Sequence, residues 1–372
     1  MRGKRALRCA KRLLSGIAIG MAVSVASAWA APPFITGFTV SLIGSTVPGN
    51  GDVNPYGVAV APTTTGRLIK GQVLVSNFNA STNLQGTGTT IVEMDPSNGN
   101  LTVFAQLDPH RLHGACPGGV GLTTALVALR QGWVIVGSLP TSDGTSNTAK
   151  NGCLIVLDAN GRPVETIAGG PIRGPWDMTA QDNGANAVLF VTTVLNGHVT
   201  QTPNVVNRGS VVRIGLGVPP QNRVGLKPFI LGENTIASAF PEKTDPVALI
   251  IGPTGVGLGH DGTLYVADTF GNRIAAIPNA LTRFNDAGAG VTVSTDDNLS
   301  GPLGLAVAPN RDILTVNAGD DNIVETTPSG SQVAVAPITS GGGGSLFGLA
   351  VTPTENGIYF VDDSANTLNL FN

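Results

Sequence analysis

Charged residues are scarce in this chain and make up only 12% of its 372 residues. Six of its 21 basic residues stand before position 13, namely Arg2, Lys4, Arg5, Arg8, Lys11 and Arg12. Without these six, the chain has 15 basic and 24 acidic residues, which gives this remaining part a net charge of −9. A nucleic-acid binder needs a basic face, and an anionic membrane surface attracts basic segments. The composition therefore predicts neither of these partners.

Long apolar runs are also lacking, apart from one at residues 13–25 that directly follows the basic residues. Small residues come next at 26–28 and 28–30, in the order typical of a secretory signal and its cleavage site. We therefore expect a signal peptide at 1–30 and a single domain at 31–372 that is secreted or periplasmic. We expect no membrane span after cleavage. An uncleaved anchor is the alternative, although the apolar run is short for a span.

Cysteine is rare, and Cys9 falls within the predicted signal. Cys116 and Cys153 remain, and an oxidising compartment permits them to pair. We expect a disulfide between them, provided that the intervening loop folds over, because two strand spacings exceed the reach of a direct bridge. A Gly-x-Ser-x-Gly elbow, a phosphate-binding loop and a His-Glu-x-x-His pair are all absent from the sequence.

Glycine (50 residues) and proline (25 residues) are abundant, and β-branched residues fill much of the rest. This composition favours strands and tight turns over helices. The clearest repeated unit occupies residues 252–274, where Val256 and Leu258 alternate before a His-Asp-Gly turn. A second strand follows at 264–267, then a tight turn and a third strand near Arg273. The pattern predicts a meander of antiparallel strands.

The unit recurs six times, with openings near residues 54, 116, 174, 252, 301 and 346. The last copy stops at Asn372 after its third strand. The segment Phe34 to Ile43 alternates as a strand and belongs to no other unit. We expect it to supply the missing outermost strand of the last unit, which would close a ring and protect its edges.

The motif Pro-x-Gly-[Leu/Val]-x-[Leu/Val], then Asp-Gly-x-Leu-Tyr-Val-Ala-Asp and Asn-Arg-Ile, resembles the NHL repeat. The match is nearly complete from Pro253 to Ile274. The last two units match in part, and the first three match mainly in their opening residues. The resemblance implies an all-β, six-bladed β-propeller of four-stranded antiparallel blades, of secreted bacterial type. NHL-type propellers include peptide amidating lyases, antibiotic lyases, relatives of gluconolactonases and binding scaffolds, so the fold alone does not define an activity.

In such propellers, ligands bind at the face that carries the loops before the innermost strands and between the second and third strands. The second-to-third loops of the first three blades are long, at 78–88, 139–152 and 195–209. These loops either carry the function or are variable surface loops without one. Our predicted ligand-binding residues at this face are Tyr56, Asn77, Trp176 and Asp177. The aromatic residues at the blade openings form either an apolar floor for a ligand or a plug in the channel.

Asp177 is unusual, because we assign glycine to the corresponding position of the other five openings, namely Gly57, Gly119, Gly255, Gly304 and Gly348. A carboxylate there either binds a cation, acts as a general base or caps a neighbouring backbone N–H. With His113 and His198 it forms our candidate site for a divalent metal ion. Ordinary surface histidines are the alternative.

Two functions follow from the sequence. The first is a non-catalytic scaffold that presents blades one to three to a protein or small-molecule ligand whose identity the sequence does not give. The alternative is a metal-assisted lyase or lactonase with its site at the mouth of the central channel.

Overall fold

The computed structural model describes residues 32–196, 204–246 and 248–372. The predicted signal peptide at 1–30 and His198 lie outside the described residues. Residues Pro33–Asn372 form one compact unit. Within the described ranges the elements are strands and two short 3₁₀ turns, Pro109–Arg111 and Ser146–Thr148. No helix in those ranges has the length and apolar character needed to cross a membrane.

Six antiparallel sheets form the blades of a β-propeller, which confirms the predicted fold. The strands of blades 1 to 3 are β2(Val53–Val60), β3(Val73–Asn79), β4(Thr90–Met94), β5(Leu101–Gln106), β6(Leu122–Ala128), β7(Val134–Ser138), β8(Cys153–Leu157), β9(Pro163–Ile167), β10(Gly174–Asp182), β11(Asn186–Val194), β12(Val206–Gly217), β13(Phe229–Asp245) and β14(Leu249–Ile251). Blade 3 is the largest, because β14 adds a fifth strand to it.

Blades 4 to 6 each contain four strands. Their bounds, with the strand that completes blade 6 placed last, are β15(Pro253–Leu258), β16(Leu264–Asp268), β17(Arg273–Ile277), β18(Val291–Thr295), β19(Pro302–Val307), β20(Ile313–Asn317), β21(Asn322–Thr326), β22(Gln332–Pro337), β23(Leu346–Val351), β24(Ile358–Asp362), β25(Thr367–Phe371) and β1(Val40–Ser45).

The N-terminal strand closes the ring, as the sequence predicts, since β1 pairs with β25 at the outer edge of blade 6. The strand begins at Val40, six residues later than Phe34. The backbone N–H groups of Phe34 and Ile35 instead donate to the two carboxylate oxygens of Glu325, at 2.7 and 2.9 Å. Residues 34–35 therefore dock on blade 5 through a buried carboxylate and do not extend the sheet.

Glycines at the start of the innermost strands let neighbouring blades approach closely. A Cβ atom on Gly304 would lie 1.8 Å from the carbonyl oxygen of Phe347, and one on Gly348 would lie 2.2 Å from that of Tyr56. No side chain fits at such a separation. Glycine is therefore required there by contact with the next blade around the ring.

The opening of blade 2 differs from the prediction. Its innermost strand begins at Leu122, and Leu126 pairs with Val136 as Met178 pairs with Val191 in blade 3. Ala125, not Gly119, therefore corresponds to Asp177. Gly119 lies in the preceding loop with φ +98°, so the Gly-Gly-Val segment marks a turn.

That loop carries the disulfide. Cys116 is bonded to Cys153 at the start of β8, with their Cα atoms 5.2 Å apart. The chain makes a tight turn between Cys116 and Gly119, closed by a hydrogen bond from Gly119 N to the Cys116 carbonyl, and Gly118 N donates to the carbonyl of Asn151 in the loop before β8. The loop before blade 2 is thereby tied to the third strand of the same blade.

Candidate functional site

Four aromatic side chains close the centre of the ring. Tyr56 stacks on Phe347 and on Phe78, with ring centroids 3.8 and 4.5 Å apart, and Trp176 lies 6.3 Å from both Tyr56 and Phe78. None of the four is more than 7% exposed. We call this cluster the aromatic plug. The sequence allowed two interpretations of the aromatic residues at the blade openings, an apolar floor for a ligand or a plug in the channel. Because the rings are stacked on one another and buried, they act as a plug.

A pocket of about 180 Å³ lies on one side of the plug, at the face that carries the loops before the innermost strands. We call it the upper pocket. Tyr56, Leu303 and Phe347 line it from below, and Ile250 and Ile251 supply an apolar wall. Its polar lining comes from several blades and is formed by Asn54, Gln85, Thr254, Thr269 and Asp363. The long loop of blade 1 therefore reaches the axis, through Gln85.

Asp363 is the acidic residue of the upper pocket. Burial raises the pKa of its carboxyl to about 7, and the negative charges of Asp362 and Asp321 add to the increase. Asp321 is already used by Gly343 N and Ser345 Oγ, which donate to its Oδ2 at 2.8 and 2.7 Å. Asp362 similarly accepts hydrogen bonds from side chains of its own turn and of the preceding loop. Asp363 is therefore the member of this acidic group that faces the pocket.

The hydroxyl of Tyr56 belongs to the same site. Burial raises the pKa of Tyr56 well above its usual value, and the charge of Asp363 is the second cause. The side chain of Asn54 hydrogen-bonds to Tyr56 and opposes this effect. The Tyr56 hydroxyl therefore stays protonated at neutral pH and is a hydrogen-bond donor in a largely apolar pocket.

Asp177 lies on the other side of the plug. It lines a channel of about 350 Å³ that all six innermost strands form along the axis, which we call the lower channel. Its Oδ1 accepts Met178 N at 2.7 Å and its Oδ2 accepts Val256 N of blade 4 at 3.3 Å. Burial, partly offset by these two hydrogen bonds, raises the pKa of Asp177 to about 7. The carboxylate thus caps backbone N–H groups at the junction of blades 3 and 4.

The structure does not gather the predicted ligand-binding residues into one site. Tyr56 lines the upper pocket, Trp176 is buried in the plug and Asp177 lines the lower channel. Asn77 is fully buried and donates from Nδ2 to the carbonyl of Thr46. That contact joins the second strand of blade 1 to the chain just after β1.

The predicted metal site is not assembled by the described residues either. His113 is exposed and lies near Glu165 on β9, the outermost strand of blade 2, whereas Asp177 lies on the innermost strand of blade 3. No group of three or more His, Cys, Asp or Glu residues suited to a metal ion occurs in the described ranges. His113 and Asp177 therefore do not fit a shared divalent metal ion.

Sequence reasoning missed Asp363 as a site residue. The pair Asp362-Asp363 ends a strand, and the turn chemistry of Asp accounts for Asp362, which accepts Ala365 N and Ser364 Oγ. Asp363 also accepts a hydrogen bond from the backbone of this turn, at Ser364, which opposes the increase of its pKa. The signal available in the sequence was a pair of adjacent acids beside the predicted channel mouth.

No family model matches the chain. No curated protein matches it either. Solved structures that resemble it include a gluconolactonase from Xanthomonas campestris, with 12% identity over 92% of this chain and 94% of that one and a TM-score of 0.53. A virginiamycin B lyase from Staphylococcus aureus has 15% identity over 90% and 99% of the two chains, with a TM-score of 0.50. A PQQ-bound aldose sugar dehydrogenase from Streptomyces coelicolor has 13% identity over 92% and 99%, with a TM-score of 0.53. At these identities the likeness establishes the propeller fold alone.

Proposed function

We propose that this protein is an enzyme that opens a small, uncharged ring substrate in the upper pocket, as a lactonase or lyase, with Asp363 as its general acid and base. The observation that carries the proposal is a carboxyl group with a pKa of about 7 at the edge of an axial, largely apolar pocket. Perturbed carboxyl groups in clefts mark candidate functional sites.

A pKa near neutrality suits proton transfer in both directions, because each protonation state is populated at working pH. For a lactone, the Asp363 carboxylate would take a proton from water as the water oxygen bonds to the ring carbonyl carbon. The carboxylic acid so formed would return that proton to the ring oxygen as the carbon–oxygen bond breaks. The Tyr56 hydroxyl is placed to donate a hydrogen bond to an oxygen of the substrate.

The size and lining of the pocket restrict the substrate. Its volume of about 180 Å³ is below the roughly 300 Å³ at which pockets for drug-sized ligands begin. Ile250, Ile251 and Leu303 favour an apolar body, and the acid disfavours an anion. The lactonase and lyase among the similar structures support this chemistry only by analogy of fold.

The proposal favours the enzyme over the non-catalytic scaffold and does not require a metal ion. The described residues offer no shared metal site, so no step is assigned to a metal. The NHL-type repeat stays our interpretation of residues 253–274. We also propose a location outside the cytoplasm, which the predicted signal peptide and the disulfide both support.

The test is a panel of small aliphatic lactones, followed by proton release, with the native protein, Asp363→Asn and the control Asp297→Asn. Asp297 is exposed on blade 4, outside the pocket residues. We expect Asp363→Asn to lose about 100-fold or more of kcat/KM, with the control unchanged. The native kcat/KM should rise with pH, reach half its maximum near pH 7 and level off above about pH 8. Absence of turnover of every lactone by the native protein would refute the proposal and favour the scaffold.

A further inference from the structure

The lower channel is a second cavity that is separate from the upper pocket. The aromatic plug closes its inner end, because Trp176 of the plug directly precedes Asp177 on β10. The walls are aliphatic, with residues such as Val58, Leu126 and Leu305 contributed by different blades. The channel therefore runs along the axis between aliphatic side chains, although polar atoms make up most of its exposed surface.

Two buried residues of the lining, on neighbouring blades, carry side-chain oxygens. The carboxyl of Asp177 is 9% exposed, and the hydroxyl of Thr124 on β6 belongs to a residue that is 6% exposed. Thr124 precedes Ala125, the residue of blade 2 that corresponds to Asp177. Oγ1 of Thr124 has no hydrogen-bond partner among the described residues, although it is buried. A buried hydroxyl oxygen without a partner costs free energy unless a ligand or water satisfies it.

The charge of the channel has one sign. Asp177 and Asp182 are the titratable residues of the described lining, which includes no Lys, Arg or His. Asp182, at the end of β10, already accepts Gly184 N at 2.7 Å and Arg130 N at 2.5 Å. The oxygens of Asp177 also accept one backbone N–H each, but Asp177 is the more deeply buried of the two acids, and the described lining holds no cationic partner for it.

We propose that the lower channel binds a slender primary alkylammonium ion, with its charged head at Asp177 and Thr124 and its alkyl chain along the aliphatic walls. An ammonium group has three N–H donors, which suits a carboxylate and an unpartnered hydroxyl in the lining of one channel. A Ca²⁺ ion needs six to eight oxygen ligands, which these walls do not supply. The alkyl chain gains free energy by leaving water.

The proton on Asp177 makes this binding depend on pH. Because its pKa lies near 7, the carboxyl must lose a proton before it can pair with the cation. Affinity should be constant above pH 8 and fall about tenfold per pH unit well below pH 7. Asp182, the other acid of the channel, is engaged by backbone N–H groups at the far end of β10.

The experiment is titration calorimetry of hexylammonium chloride into the full chain at pH 8 and pH 5.5, with hexan-1-ol as the uncharged probe. We expect hexylammonium to bind at pH 8 more tightly than hexan-1-ol, and about fourfold more tightly for each methylene added between butyl- and hexylammonium. Affinity should fall more than tenfold at pH 5.5. Equal affinity for the alcohol, or no binding of hexylammonium at millimolar concentration, would overturn the proposal.

The variant Asp177→Gly is suited to this fold, because the corresponding residues Gly57, Gly255, Gly304 and Gly348 are accommodated in four other blades. It should lose at least tenfold in affinity at pH 8 and lose the pH dependence, whereas Asp297→Asn should match the native protein. Thr124→Val should weaken binding about threefold and serves as the second variant if Asp177→Gly does not fold. Unchanged affinity in either channel variant would show that the head group does not bind at this end.

Discussion

The replacement Asp177→Asn should change how the stability of the propeller depends on pH. The carboxyl has a pKa of about 7 in the folded protein, against 3.8 for an unperturbed group. The folded state therefore holds its proton at pH values where the unfolded chain has lost it. The contribution of Asp177 to the free energy of unfolding must fall as pH rises from about 4 to about 7, because the folded state binds more protons than the unfolded state in that window. Asparagine cannot titrate, so the variant lacks this contribution.

The magnitude follows from the two pKa values. One pKa unit corresponds to 1.36 kcal/mol. At pH 5 the unfolded group is already ionised and the folded one is still protonated, and ionisation of the folded group is complete near pH 8. The two units between pH 5 and the folded pKa thus give a loss of about 3 kcal/mol for the native protein relative to the variant. Glu242 and Asp363 also have raised pKa values, but they are present in both proteins and cancel.

The assay is urea unfolding at pH 5 and pH 8, with refolding curves that coincide with the unfolding curves. We expect Asp177→Asn to gain about 3 kcal/mol relative to the native protein between pH 5 and pH 8, and Asp297→Asn to gain nothing. An equal difference at both pH values would refute the reasoning, since it would mean that Asp177 ionises normally in the folded state.

Two further predictions concern the frame of the ring. Gly304→Ala should destabilise the protein by about 3 kcal/mol or more in thermal melts, because its Cβ would lie 1.8 Å from the carbonyl oxygen of Phe347. The control Gly232→Ala, with no atom near its Cβ, should have little effect. Equal effects of the two variants would contradict the argument from close approach of the blades. The double variant Cys116→Ser, Cys153→Ser removes a covalent link between residues 37 apart. It should lower the free energy of unfolding by about 4 kcal/mol through loop entropy, as measured by urea unfolding. A loss below 1 kcal/mol would show that other contacts hold the loop.

The strand ring could be predicted from sequence because hydrophobic alternation and turn residues report local geometry directly. Blade 4 shows this best, since the repeat at 253–274 becomes β15, β16 and β17. Blade 2 shows the limit. Its innermost strand carries Ala125 where four other blades carry a glycine. The sequence pattern therefore aligns the turn glycine Gly119 with those positions instead. Only hydrogen-bond register across β6 and β7 reveals the shift.

The candidate site was less accessible to sequence reasoning. Asp177 stood out by comparison of equivalent positions, and the structure shows it facing the channel rather than the outer mouth. Asp363 did not stand out, because its raised pKa arises from burial beside Tyr56 and from the charges of Asp362 and Asp321. Such an effect depends on which chain segments meet in space, and no single segment encodes it.

The pairing of β1 with β25 has a consequence for how the chain reaches its native state. Thr39 and Asn372 lie 333 positions apart and exchange backbone hydrogen bonds at 2.8 and 3.1 Å. Contacts between such distant residues form late and slow folding. During synthesis the first strand to emerge must wait unpaired until the last one is made. Since the two ends meet in one sheet, the chain is suited to circular permutation. A linker would join the ends, and new termini would be placed in an exposed loop, such as the one near Val224. The same ring would then assemble in a different order.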